Sequence, residues 1–230
     1  MLKIFFVCFF FVTNSFADVG ENITKCAKNF IGTPYDTNPI GEYVAKQVII
    51  HDKTMDCMYF VFRCTELALA NFDAKKAQTF ALNLRFKNVG IVNLEGKVLN
   101  YENRFDYAED MVLSEKWGKN VTKEMGKISQ IEGSRNIEKF DYVKNADINF
   151  SALQNGDIIF WVKAKRKRIA REIIGHLGFV EIENGQVYFI HASGVKNSKK
   201  KSQGVVKILL KDYIENTNFI GIAVKRVWLL

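Results

Sequence analysis

The last third of the chain is a run of short apolar segments, and it limits the architecture more than any other feature. Residues 157–162, 177–182, 186–191, 204–209 and 220–226 are each rich in Ile, Val and Phe, and each reads as a strand. Glu183-Asn184-Gly185 is a hairpin signal between the second and third. The first part of the chain has helical periodicity instead. Residues 18–30 place Val19, Ile23, Cys26 and Phe30 three or four apart, and Gly32-Thr33-Pro34 ends the pattern. Residues 57–71 repeat Cys57, Phe60, Val61, Cys64, Leu67 and Ala68 as a buried stripe, with Thr54 or Asp56 placed to cap the start. Residues 43–51 read as a strand or an extended lead-in. Residues 72–150 read as a helix and loop insertion, with 106–116 its best helix. Helices followed by short antiparallel strands predict an α+β fold, the helices packed on one face of a curved sheet.

The ends add a compartment. Lys3, the nine apolar residues 4–12 and Ser15-Phe16-Ala17 have the order of a secretory signal peptide, with small residues at the cleavage site. The apolar run is too short to anchor in a bilayer. Expected domains are therefore a signal peptide over 1–17 and one domain over 18–230. The expected location is secreted, in the periplasm, with no transmembrane segment after cleavage. Composition agrees with one globular domain: 48% apolar, 25% charged and two prolines exclude a disordered chain, a collagen repeat and a disulfide-dense miniprotein. A chain of 230 residues buries enough surface to fold without a metal or a disulfide.

Cleavage removes Lys3 and Cys8. Basic side chains fall from 33 to 32 against 25 acids, so the charge falls from +8 to +7. Three cysteines remain, Cys26, Cys57 and Cys64. An odd number leaves at least one outside any intramolecular disulfide. A Cys26–Cys64 bridge is one arrangement that leaves Cys57 out, but connectivity does not follow from sequence.

Cys57 opens a helix, where backbone amides and the macrodipole favour a thiolate and can receive an oxyanion. His176 opens one strand and His191 ends the next, so a hairpin can set them side by side. That permits a nucleophile, a base and an orienting third member. An inert buried cysteine and satisfied core histidines are the bland alternatives for each residue alone. A zinc site from the same three is conceivable by ligand type, but no metal-binding spacing appears, so no metal and no cofactor are expected. His51 matches nothing. Asp157 suits a turn role before its strand.

These residues sit in recognisable motifs. Ile31-Gly32-Thr33-Pro34-Tyr35, Met55-Asp56-Cys57, Asn155-Gly156-Asp157-Ile158-Ile159-Phe160, Gly175-His176-Leu177-Gly178-Phe179 and Ile190-His191-Ala192-Ser193 resemble, in order and approximate spacing, those of the NlpC-type cell-wall cysteine peptidases, which have a papain-like fold. Arg104-Phe105-Asp106-Tyr107, Tyr213 and the 221–226 ending resemble the N-acetylmuramoyl-L-alanine-amidase-like branch. The likeness covers nearly all of the mature chain. The cysteine precedes both histidines, unlike the permuted papain-like hydrolases.

The resemblance implies a catalytic cysteine at a helix start packed on a C-terminal antiparallel sheet. It implies Cys57 as nucleophile, His176 as base, His191 as orienter and Tyr35 as a hydroxyl facing the cysteine. Arg104 and Tyr107 become sugar or peptide contacts. Met58 and Tyr59 depart from the usual residues after the cysteine and would form an altered wall beside it. The implied partner is peptidoglycan or muropeptide fragments, and the implied bond is the N-acetylmuramic acid–L-alanine amide. The alternatives are a D-glutamyl–diamino acid endopeptidase and a non-catalytic wall-binding module. The basic runs at 163–168, with Arg171, and at 199–201 are either solvated loops or contacts for an anionic surface. Export argues against nucleic acid.

Overall fold

The chain enters the fold as a helix whose glycine lets it lie against a loop of the distant sheet. This computed structural model describes residues 15–194 and 203–228. The signal-peptide reading over 1–14 and the basic run at 199–201 lie outside the described residues. Residues 15–17 belong to the first helix, α1 (Ser15–Asn29). There Gly20 approaches Asn155 and Gly156 so closely that a Cβ would meet the Asn155 carbonyl oxygen. Next come α2 (Glu42–Ala45), α3 (Cys57–Leu69), α4 (Ala74–Leu84) and α5 (Ala108–Leu113). The strands are β1 (Lys119–Asn120), β2 (Ile128–Glu132), β3 (Lys139–Lys144), β4 (Ile158–Lys163), β5 (Ile174–Glu183), β6 (Gln186–Ser193), β7 (Gly204–Leu209) and β8 (Phe219–Arg226), with α6 (Leu210–Asn216) before the last. Among the described residues no helix is long and apolar enough to cross a membrane.

The strands form one antiparallel sheet in the order β2-β3-β8-β4-β5-β6-β7, with β1 on β8. One face carries the larger core. There α1, α3 and α5 bury Ile23, Phe60, Val61 and Met111 against Phe160, Leu177, Phe179 and Ile190. Phe60 meets Phe179 edge-on at 5.5 Å. The other face holds a second core of Ile159, Trp161, Val180, Phe189, Leu210 and Val224.

Three expected elements differ. Residues 43–51 are no strand. Asp36 accepts the backbone N–H of Glu42 at 2.7 Å and of Asn38 at 3.0 Å, which starts the one-turn α2, and only Val48 makes a bridge, to Lys97. Residues 72–150 hold more than helix and loop, because β2 and β3 form a hairpin that joins the sheet through Val143 and Ile222. The helix expected over 106–116 is shorter. Ser114 adopts extended backbone and its hydroxyl caps a 3-10 turn, Glu115–Trp117.

Helix α3 is buried on nearly every side, so its polar side chains need internal partners. Glu66 receives Arg85 bidentately, Nε at 2.5 Å and Nη2 at 2.7 Å, and the Arg85 Nη1 donates to the Ile49 carbonyl at 2.8 Å. Both side chains are at most 2% exposed. The Arg85 guanidinium also lies over the Tyr59 and Phe62 rings. Removing one member strands a buried charge. Arg85→Met should therefore cost about 3–5 kcal/mol in chemical denaturation, and the pair Glu66→Leu with Arg85→Met should recover most of it.

Candidate active site

Cys57 is the first residue of α3. Asp56 caps that helix, its Oδ1 accepting from the Tyr59 amide at 2.7 Å. The chain before it is laced to the Tyr35 loop: the Met55 amide donates to Pro34 and the Asp36 amide to Met55, each at 3.0 Å. That loop is held in turn by the edge strand β7. Gly32 donates to Val205 and Val205 to Thr33, each at 2.9 Å. Gly204, at a φ of +87°, passes so close that a Cβ would meet the Thr33 carbonyl. The Tyr35 ring lies across Gly194, two residues beyond Ala192 of the His191 motif. Burial raises the Tyr35 phenol well above its usual range, and the nearby Cys57, Asp56 and Asp36 raise it further, so its hydroxyl keeps its proton.

His176 owes its direction to an irregularity. Trp161 pairs with His176 and Val162 with Ile174, so Gly175 is an extra residue in β5. Ile174 packs into the helix-side core. His176 instead lies among rings of the other face, nearly parallel to Phe219 and to Tyr213 and edge-on to Phe189. Gly175 leaves room here, since a Cβ would crowd the Lys163 side chain and the Phe219 ring.

The His176 Nε2 is 2.7 Å from Nδ1 of His191. For Nδ1 of His176 to accept a proton, its Nε2 must carry hydrogen and donate to His191, which places the His191 proton on Nε2. His191 is 4% exposed, stacked on Phe189 and edge-on to Tyr213. Burial pushes His191 down to about 4. Burial, and then His191, hold His176 well below the usual imidazole value. Both rings are therefore neutral at pH 7.

Cys57 and His176 line one cleft of about 150 Å³, with Asp56, Met58, Asp106, Tyr107, Glu109 and Glu172 among its walls. A larger, mostly apolar hollow of about 360 Å³, lined by Leu69, Phe80 and Trp228, shares no lining residue with it. The expected contacts divide. Met58 and Tyr107 reach the cleft. Arg104 does not line it and turns to Asp106 at 2.6 Å. Tyr59 does not line it either: it is 1% exposed, its hydroxyl held between Asp52 and the His51 amide, so its place is the core. Glu109 and Glu172 of this cleft, and the Phe189 and Phe219 rings around His176, carry no motif in the sequence.

Cys26 and Cys64 form a disulfide with Cα atoms 5.4 Å apart, and Cys57 lies outside it. Among the described residues no group of three or more His, Cys, Asp or Glu is placed to hold a metal. The basic run at 163–168 is largely engaged: Lys163 pairs with Glu172, Lys165 with Glu132, and Arg168 donates to the Gly133 carbonyl at 3.0 Å. Asp157 accepts the Gln154 amide, the expected turn role, and also pairs bidentately with Arg226.

No protein-family model matches this chain. No curated protein matches it either. Solved structures do. An N-acetylmuramoyl-L-alanine amidase from Bacteroides uniformis superposes with a TM-score of 0.67 at 16% identity, over 90% of this chain and 97% of that one. A Bacteroides fragilis protein carrying a provisional xylanase name gives 0.65 at 18%, over 88% and 99%. A Legionella pneumophila protein of the DUF1460 family gives 0.65 at 21%, over 95% and 90%. At these identities the likeness shows the fold: an antiparallel sheet with helices, as in the amidase-like structures.

The depressed histidines make stability depend on pH. Between the unfolded value of 6.5 and the folded value of about 4 the unfolded chain binds more protons at His191, so stability is full above 6.5 and lost as pH falls towards 4. The loss from His191 amounts to about 3 kcal/mol. The melting temperature should fall steeply over that window, and His191→Gln should flatten the slope.

Proposed function

We propose that this protein is an exported cysteine amidohydrolase of peptidoglycan that cleaves the amide between N-acetylmuramic acid and L-alanine. The observation that carries the reading is the cleft shared by Cys57, at the start of α3, and His176, whose Nε2 is held by His191 at 2.7 Å. The motif order in the sequence and the amidase names of the structural neighbours support the choice of substrate and bond. The leader-like residues 1–17 support export to the periplasm.

The proposed chemistry runs in two halves. The Cys57 sulfur attacks the amide carbonyl while Nδ1 of His176 takes its proton. A base kept neutral by burial is ready for that proton without prior deprotonation. The tetrahedral oxyanion is met by the amides at the start of α3 and by the protonated Tyr35 hydroxyl. Collapse breaks the C–N bond. His176 returns the proton to the departing amine, and Cys57 keeps the acyl group as a thioester. Water, deprotonated by His176, then releases the acid and restores the thiol.

Mass spectrometry of muropeptide digests tests this. Native protein should release the intact stem peptide from the sugar, and Cys57→Ala should not. Products split between D-glutamate and the diamino acid would reassign the bond, and binding without turnover would make the protein a wall-binding module. Tyr35→Phe should lower kcat about 10–100-fold with little change in KM, measured on the same substrate. The acid limb of kcat/KM should lie below pH 6.5, since protonating His176 removes the base only under more acidic conditions.

A further inference from the structure

We propose that Glu109 is a positioning residue for His176 and that Arg135, on the β2–β3 hairpin, completes it. The proposal rests on the reading of His176 as the general base. Glu109 sits in the first turn of α5 and is fully buried. Its Oε1 accepts the Ile173 amide at 3.1 Å and its Oε2 the Ile174 amide at 3.3 Å. These residues immediately precede the Gly175 bulge and His176. In a regular strand successive amides point to opposite sides; here both reach one carboxylate, where the chain leaves the pleat.

Among the described residues no strand pairs with this stretch on its other side, since the pairing of β5 with β6 starts at Phe179 and Ile190. Glu109 supplies acceptors where β6 supplies none. A bulge left unsupported would let the imidazole swing, and a displacement of about 1 Å between reacting groups costs on the order of a hundredfold in rate.

Arg135 sits behind the carboxylate. Its Nη2 donates to Glu109 at 3.1 Å, and its two Nη atoms hold Asp110 at 2.8 and 3.0 Å. Its guanidinium lies 3.9 Å from the centre of the Tyr107 ring, a cleft wall. Arg135 has a φ of 56°, as Ala170 and Arg171 have values of 50° and 63°, and Tyr107 also reaches the Ala170 carbonyl. Three non-glycine residues in the left-handed region thus gather around this wall, the pattern of a site whose conformation is imposed by its surroundings. Glu109 bonds the backbone before His176 and not the imidazole itself. Its effect is therefore through position.

The test is alkylation of Cys57 by iodoacetamide as a function of pH, alongside muropeptide turnover and melting temperature. Glu109→Gln keeps the size but offers one acceptor oxygen in place of two. It should slow labelling at neutral pH about tenfold and move the profile to higher pH, where the thiol loses its proton without help from His176. It should also lower kcat about tenfold or more with KM little changed. Asp110→Asn, which shares Arg135 but does not touch β5, should leave the profile as in the native protein. Native labelling by Glu109→Gln, even with a lowered melting temperature, overturns the proposal, as does an equal shift from Asp110→Asn. If Glu109→Gln does not fold, Arg135→Gln decides: a smaller shift in the same direction supports the proposal, and a native profile overturns it. Labelling needs no substrate, so failure to cleave muropeptides would sink the functional reading without touching this one.

Discussion

Helix α3 has almost no solvent face, and the rest of the molecule is arranged around satisfying it. A helix buried all round gains from packing but cannot leave its ends or its charges to water. Asp56 therefore takes the first-turn amide, Asp52 meets Arg63, and Arg85 reaches across from the end of α4 to Glu66. Each of these contacts also fixes the position of the helix along its axis. The residue at its start, Cys57, is thereby placed against the sheet with little freedom.

The candidate site lies where the two cores of the sheet meet. The helix side contributes Cys57, Met58 and the Tyr35 loop. The opposite side contributes His176 and His191 in their aromatic surround. One extra residue in β5 makes the change of face possible, since a regular strand would send Ile174 and His176 the same way. Burial then sets the protonation of both rings. The second core thus both supports the sheet and keeps the histidines neutral.

Much of this was legible in the sequence because it is local. The five C-terminal strands announce themselves by β-rich runs, and α3 by its stripe and its capping Asp56. The cysteine and histidine motifs lie on those elements, and Cys57 and His176 share a cleft. What escaped depends on partners far along the chain. Strands β2 and β3 are short and half polar, and Phe140 and Tyr142 acquire an inside only when β3 meets β8. The 43–51 stretch has strand-like residues, yet Asp36 captures its start and turns it into a helical turn. Tyr59 follows Cys57 by two residues, but helical geometry rotates it about 200° from the cleft and into the core. Glu109 carries no motif at all; its role comes from two amides more than sixty residues away.

The pairing of the cysteines shows one more thing helical geometry decides. Cys57 and Cys64 are seven residues apart on the same helix, so about 10 Å of rise separates them. A disulfide bridges Cα atoms no more than about 6.8 Å apart. Once α3 has formed, these two cannot be joined, and Cys26 lies 5.4 Å from the far one. The helix thus acts as a ruler that rules out one of three conceivable cross-links. With Cys26 bonded to Cys64 further along the helix, the cysteine at the cleft is left outside the cross-link.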